Sequence, residues 1–224
     1  MKKEEVCSRI EEIGIVPAVR VSSSEEAHFA AGAVNRGGIP IAEITATVPG
    51  AVEVIARLVK DCPHMIVGAG TVLDVDMARR CLDAGAHFLT SPCLILEVME
   101  FAVKNGTASL PGALTPTEIL TAWKAGADFV KVYPCAQVGA DSYIRALKAP
   151  FPQVRLIASG GVNQQTALHY LLAGASALGI GGALIPRTAL QLRQEEQIHE
   201  LAHRFTRMVK KARSRKPSAV TPIA

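Results

Sequence analysis

The chain has 224 residues, 49% of them hydrophobic but only 4% aromatic, which suits one large α/β domain with an aliphatic core rich in alanine and glycine. Its five cysteines are odd in number and lack C-x-x-C or Cys/His ligand spacing, which argues against a disulfide framework and a structural zinc. The net charge is only +4, and the basic excess gathers in Arg204, Arg207, Lys210, Lys211, Arg213, Arg215 and Lys216, where a solvated helix end accounts for it better than a nucleic-acid patch.

Residues 1–14 begin Met1-Lys2-Lys3-Glu4-Glu5, lead into no apolar signal core, and read as an extra helix covering the bottom of the fold. No apolar run approaches membrane-spanning length, so neither a membrane nor a secreted destination is expected, and a reducing compartment, the cytoplasm, follows. Strand-length apolar runs come next at 15–19, 41–45, 65–69, 88–90, 108–110, 129–133, 154–158 and 177–180. Most are rich in β-branched residues, as strands buried on both faces require.

Helix-like segments separate these runs. Ser22-Ser23-Ser24-Glu25-Glu26 and Thr115-Pro116-Thr117-Glu118 are helix starts, with hydroxyls for capping and carboxylates in the first turn. Gly37-Gly38, Gly85, Gly106, Gly126 and Gly174 are helix stops, and Pro63 and Pro150 mark two more. The breaks recur roughly every 20–25 residues, the length of one βα unit. Eight such units predict a single (β/α)8 barrel over 1–213, closed by a helix at 187–213, with a disordered tail at 214–224. An open doubly wound sheet is the alternative; it lacks the G-x-G-x-x-G fingerprint after its first strand.

In such a barrel the chemistry gathers where strands end. Those positions are Arg20; Glu43 and Thr45; Thr71; Ser91 and Pro92; Pro111 and Gly112; Lys131 and Tyr133; Ser159, Gly160 and Gly161; and Gly181 and Gly182. Alternation places Lys131 with Phe129 and Tyr133 on one face, and Glu43 with Ile41 and Thr45. A lysine inside a barrel must be paired or deprotonated, and a free amine attacks a ketone to give a Schiff base. The alternative is a lysine reaching out to water. A buried Glu43 nearby can work as a proton shuttle or simply as an ion-pair partner. The glycine pairs after strands seven and eight suit phosphate binding through bare N–H groups, although glycine pairs also serve tight turns. None of the six histidines pairs at metal-ligand spacing.

At these residues the chain resembles the family of 2-keto-3-deoxy-6-phosphogluconate (KDPG) and 4-hydroxy-2-oxoglutarate (KHG) aldolases. The resemblance covers about 15–186 and is carried by Ala42-Glu43-Ile44-Thr45, Gly68-Ala69-Gly70-Thr71, Ser91-Pro92, Pro111-Gly112-Ala113-Leu114-Thr115-Pro116, Asp128-Phe129-Val130-Lys131-Val132-Tyr133-Pro134, Ser159-Gly160-Gly161-Val162 and Gly179-Ile180-Gly181-Gly182. It implies that Lys131 forms an imine with pyruvate, that Glu43 is the general acid and base, and that Thr71 and Pro92 line the pyruvate pocket. It further implies a homotrimer without metal or other cofactor, splitting a 2-keto acid into pyruvate and glyceraldehyde 3-phosphate or glyoxylate.

The chain departs from the family pattern at three places. Thr47 stands where many members have Arg and others Asn, Ala183 where a serine is common, and Tyr133 where Phe is more common. Arg20 matches an Arg of some members and can supply the charge missing at Thr47. Two other readings of the residues stay open beside the aldolase: a different phosphate-binding barrel, isomerase or synthase, with Lys131 as an electrostatic anchor, and a catalytically silent ligand-binding barrel.

Overall fold

The computed structural model describes residues 1–215. Strand and helix alternate through α1 (Lys3–Ile13), β1 (Ile15–Val19), α2 (Ser24–Arg36), β2 (Ile41–Thr45), α3 (Ala51–Asp61), β3 (Ile66–Gly70), α4 (Val75–Asp83), β4 (Phe88–Thr90), α5 (Leu96–Lys104) and β5 (Ala108–Leu110). They continue through β6 (Gly112–Ala113), α6 (Pro116–Lys124), β7 (Val130–Val132), α7 (Ala140–Lys148), β8 (Leu156–Ser159), α8 (Ala167–Leu172), β9 (Ala177–Ile180), α9 (Arg187–Gln191) and α10 (Glu195–Arg215).

All strand pairs are parallel, in the order β5-β4-β3-β2-β1-β9-β8-β7-β6. The two ends of that order are one stretch of chain interrupted at Pro111, so the sheet closes into the predicted barrel. The expected fifth strand is β5, paired with β4; Pro111, with no N–H for the ladder, ends it, and a short additional strand beyond it, β6, pairs with β7. Its carbonyl still serves, accepting from Lys131 N at 2.8 Å.

Local signals act as the sequence predicts. Ser23 caps α2 by accepting from Glu26 N, and Thr115 forms a reciprocal capping box with Glu118 at the start of α6, with Pro116 in the first turn. Helix α1 ends at Gly14, in the left-handed conformation at φ 70°. It packs on β1, β5 and β9, and Lys3 reaches Asp128 at 3.1 Å, just before β7, which fixes α1 across the N-terminal mouth.

Four boundaries differ from expectation. β3 and β8 begin later than 65 and 154, because Met65 N and Val154 N are committed to turns, donating to Cys62 O and Phe151 O. β7 is shorter than 129–133. The closing helix is two helices, α9 and α10, broken where Arg193 adopts φ 52°. Ser214 and Arg215 belong to α10, not to a tail; the rest of the expected tail lies outside the described residues. Among the described residues, no helix is long and apolar enough to cross a membrane.

The core is continuous and aliphatic, with alanines where helices approach strands. Inside the barrel the inward side chains are a mixture of bulk, glycine and polar groups, and this mixture shapes the site.

Candidate active site

Glu43 lies in β2, where all five residues are buried. It pairs in register with Ala18 on β1 and Gly68 on β3. Its side chain leans over the next glycine of β3: a Cβ built on Gly70 would stand 2.2 Å from Glu43 Oε1. Only a residue without a side chain permits that approach.

Lys131 enters from the other side of the barrel, in β7 between Gly112 and Ile157. Its Nζ donates to both Glu43 oxygens, each at 3.3 Å. The two side chains are 12% and 4% exposed, so the amine is reachable while the carboxylate is enclosed. The snorkelling alternative for Lys131 is thereby set aside. A pair so enclosed, with both oxygens shared by one amine, is placed for proton exchange as well as for charge compensation.

The neighbouring strand ends carry the other expected groups. Thr71 follows β3 with φ 58°, a left-handed conformation that costs a β-branched residue about 1–3 kcal/mol. Strain of that kind persists where the surroundings enforce a functional geometry. Pro92 presents its backbone to Gly112, where a Cβ would stand 2.3 Å from the Pro92 carbonyl carbon. Thr45 is fully buried; its hydroxyl donates to Val19 O at 3.1 Å and meets the Thr47 hydroxyl at 2.9 Å. Thr45 thus supports Thr47, which is exposed at the rim.

A cavity of about 760 Å³ opens at the C-terminal ends of β1, β7, β8 and β9, and Arg20, Tyr133, Ser159, Gly160, Gly161, Gly181, Gly182 and Ala183 line it. Tyr133 lies two residues beyond Lys131, just past the end of β7. Gly160 and Gly161 are both left-handed, at φ 85° and 83°, and a Cβ on Gly161 would meet Ala136 Cβ at 2.3 Å. Backbone this bare and close can turn its N–H groups toward an anion. Arg20 is exposed into the cavity and forms no ion pair among the described residues.

Of the polar residues that line the cavity, the sequence analysis missed three, Ser22, Glu26 and Arg187. Glu26 reads in sequence as a helix-start carboxylate, and it is one: it accepts from Ser22 Oγ at 2.8 Å and Ser22 N at 3.0 Å. Those hydrogen bonds, with the positive charges of Arg187 and Arg193 behind them, hold its carboxyl below the usual range. Arg187, at the first position of α9, carries no sequence signal that separates it from a surface arginine. Among the described residues, no three His, Cys, Asp or Glu side chains cluster as a metal site.

Comparison with known proteins places the chain in a family. Residues 6–201 match the family described as "Aldolase: KDPG and KHG aldolase". The chain is 33% identical to the KHG/KDPG aldolase of Escherichia coli K12 over 189 residues, 84% of this chain and 88% of that one. It superposes on a KDPG aldolase of Legionella pneumophila, solved with pyruvate captured as a covalent carbinolamine, with a TM-score of 0.82 at 27% identity, covering 88% and 95% of the two chains. The KDPG aldolase of Zymomonas mobilis ZM4, solved with 3-phosphoglycerate, superposes with a TM-score of 0.82 at 27% identity, covering 91% and 96%. The chain belongs to the KDPG and KHG aldolase family and is a carbon–carbon lyase.

Proposed function

We propose that Lys131 is the Schiff-base nucleophile and Glu43 the proton shuttle of this aldolase. The observation that carries the reading is the placement of Lys131 Nζ at 3.3 Å from both oxygens of an enclosed Glu43 carboxylate. Glu43 takes a proton from the ammonium, and the freed amine attacks the C2 ketone of a 4-hydroxy-2-keto acid. Glu43 returns that proton to the alkoxide formed at C2, then takes a second proton from the carbinolamine nitrogen and delivers it to the hydroxyl, so that water leaves and the freed nitrogen lone pair completes a protonated imine.

Glu43 then removes the C4 hydroxyl proton. The C3–C4 bond breaks, its electrons move into an enamine, and the aldehyde departs. Protonation at C3 and hydrolysis release pyruvate and restore the amine. Thr71 and Pro92 border the pyruvate end of the site. Arg20 and the backbone of Gly160, Gly161, Gly181 and Gly182 hold a distal anion, either the phosphate of KDPG or the second carboxylate of KHG. With Ala183 in place of a serine, that end has one hydroxyl donor fewer.

Homotrimeric assembly, independence from metals and a cytoplasmic location belong to the same reading; five free cysteines suit a reducing compartment. Light scattering tests the trimer. The mechanism is tested by borohydride reduction in the presence of pyruvate. A reduced pyruvate adduct mapped to Lys131 supports it, and turnover without any adduct there refutes it. A panel of 2-keto acids assayed by pyruvate release identifies the aldehyde.

A further inference from the structure

Thr90 closes β4. It is 2% exposed, and its Oγ1 has no hydrogen-bond partner among the described residues. A hydroxyl that is both enclosed and unpaired is unusual, because burial removes the water that would satisfy it. On the neighbouring strands it is flanked by Leu110, its register partner, and by Gly70, one residue beyond the Ala69–Leu89 pair. Neither brings a polar side chain.

Its direction follows from Phe88. A Cβ on Gly68 would stand 2.3 Å from the Phe88 ring, so Phe88 lies over the inward side of β3, the side on which Glu43 covers Gly70. Thr90 is two residues further along the strand and shares that face. Adjacent strands lie about 4.8 Å apart, so Thr90 Cβ is about that far from the empty Cβ position of Gly70. That position is 2.2 Å from Glu43 Oε1. Hydroxyl and carboxylate therefore lie over the same bare, inward stretch of β3 without meeting in a direct hydrogen bond.

We propose that the Thr90 hydroxyl is a positioning group for the oxygen that leaves C2 during imine formation, holding it where Glu43 delivers its proton. This rests on the Lys131 and Glu43 reading. In the step, the Glu43 proton passes to the carbinolamine oxygen, the C2–O bond breaks, the nitrogen lone pair forms the C=N bond, and the departing water stays hydrogen-bonded between Thr90 and Glu43. Thr90 takes up no net proton.

The test compares wild-type enzyme with Thr90→Val, which keeps the shape and removes the hydroxyl, and Thr90→Ser, which keeps the hydroxyl and removes the methyl. Rapid-quench borohydride trapping with pyruvate gives the rate of imine formation, and its concentration dependence gives pyruvate affinity. For Thr90→Val, trapping should slow by at least about tenfold, with affinity within about twofold and no loss of thermal stability. Thr90→Ser should stay within about threefold of wild type. An unchanged rate in Thr90→Val overturns the assignment. So does a Thr90→Ser as slow as Thr90→Val, which would make the methyl contact the operative one. A wild-type enzyme that traps no pyruvate at Lys131 refutes the underlying mechanism instead, so the two failures are told apart.

Discussion

Gly70 and Glu43 occupy the same space: the carboxylate of β2 lies where a side chain on β3 would begin, 2.2 Å from a Cβ that glycine does not have. The barrel thereby holds a carboxylate inside its wall and aims it at the amine of β7. A methyl group at this point acts on the chemistry before it acts on the fold.

Gly70→Ala is therefore expected to displace the Glu43 carboxylate and lower kcat/KM for aldol cleavage by about 100-fold, with a stability loss of about 1–3 kcal/mol from overpacking. Steady-state kinetics beside thermal unfolding check this. A variant that unfolds early but cleaves normally would show that Glu43 tolerates relocation.

Lys131→Ala should abolish both cleavage and pyruvate trapping. Glu43→Gln should slow cleavage by about 10²–10⁴-fold while still yielding some borohydride adduct, since it removes the shuttle and leaves the nucleophile. Mass spectrometry of the reduced protein separates the two. An equal, complete loss of adduct in both would assign Glu43 to holding Lys131 in place.

Arg20→Gln should raise KM for substrates with a distal phosphate or carboxylate by about tenfold or more, the equivalent of one charge-assisted hydrogen bond, with pyruvate binding unchanged. Kinetics on charged and neutral aldehydes in the condensation direction provide the measurement. Uniform loss across all aldehydes would place the anion contact elsewhere.

Burial pushes the Cys7 thiol up to about 12, with the nearby Asp128 charge adding to it, and burial pushes Cys81 and Cys135 up to about 11. In the unfolded chain the same thiols ionise near pH 8.5. Raised folded values mean that stability is complete below about pH 8.5 and falls as pH rises toward 11 to 12, because the unfolded form releases protons that the folded form keeps. Denaturation midpoints should drop over that window, less steeply in Cys81→Ala. At neutral pH, Cys93, the exposed cysteine, should react first with a thiol reagent, and Cys7, Cys81 and Cys135 only on unfolding.

Much of the architecture was legible in the chain. The β-branched runs, the hydroxyl caps at Ser23 and Thr115 and the glycine stops are short-range devices, and each acts within a few residues of itself. Strict two-residue alternation was enough to group Glu43 with Ile41 and Thr45, and Lys131 with Phe129, on one face of each strand. The stop at Pro111 was readable, since proline lacks the N–H that a ladder needs, but that the chain pairs again with β7 just beyond it was not.

Closure of the sheet settled the rest. Residues 88 positions apart meet at 3.3 Å because β2 and β7 face each other across a common interior. Contacts across that interior also decide that Gly70 makes room for a carboxylate, that the Thr45 hydroxyl is spent on Val19, that the Thr90 hydroxyl has no partner among the described residues and that Glu26 and Arg187 border the cavity. Periodicity reports which way a side chain points along its own strand; it carries no information about what stands opposite until the ring is closed.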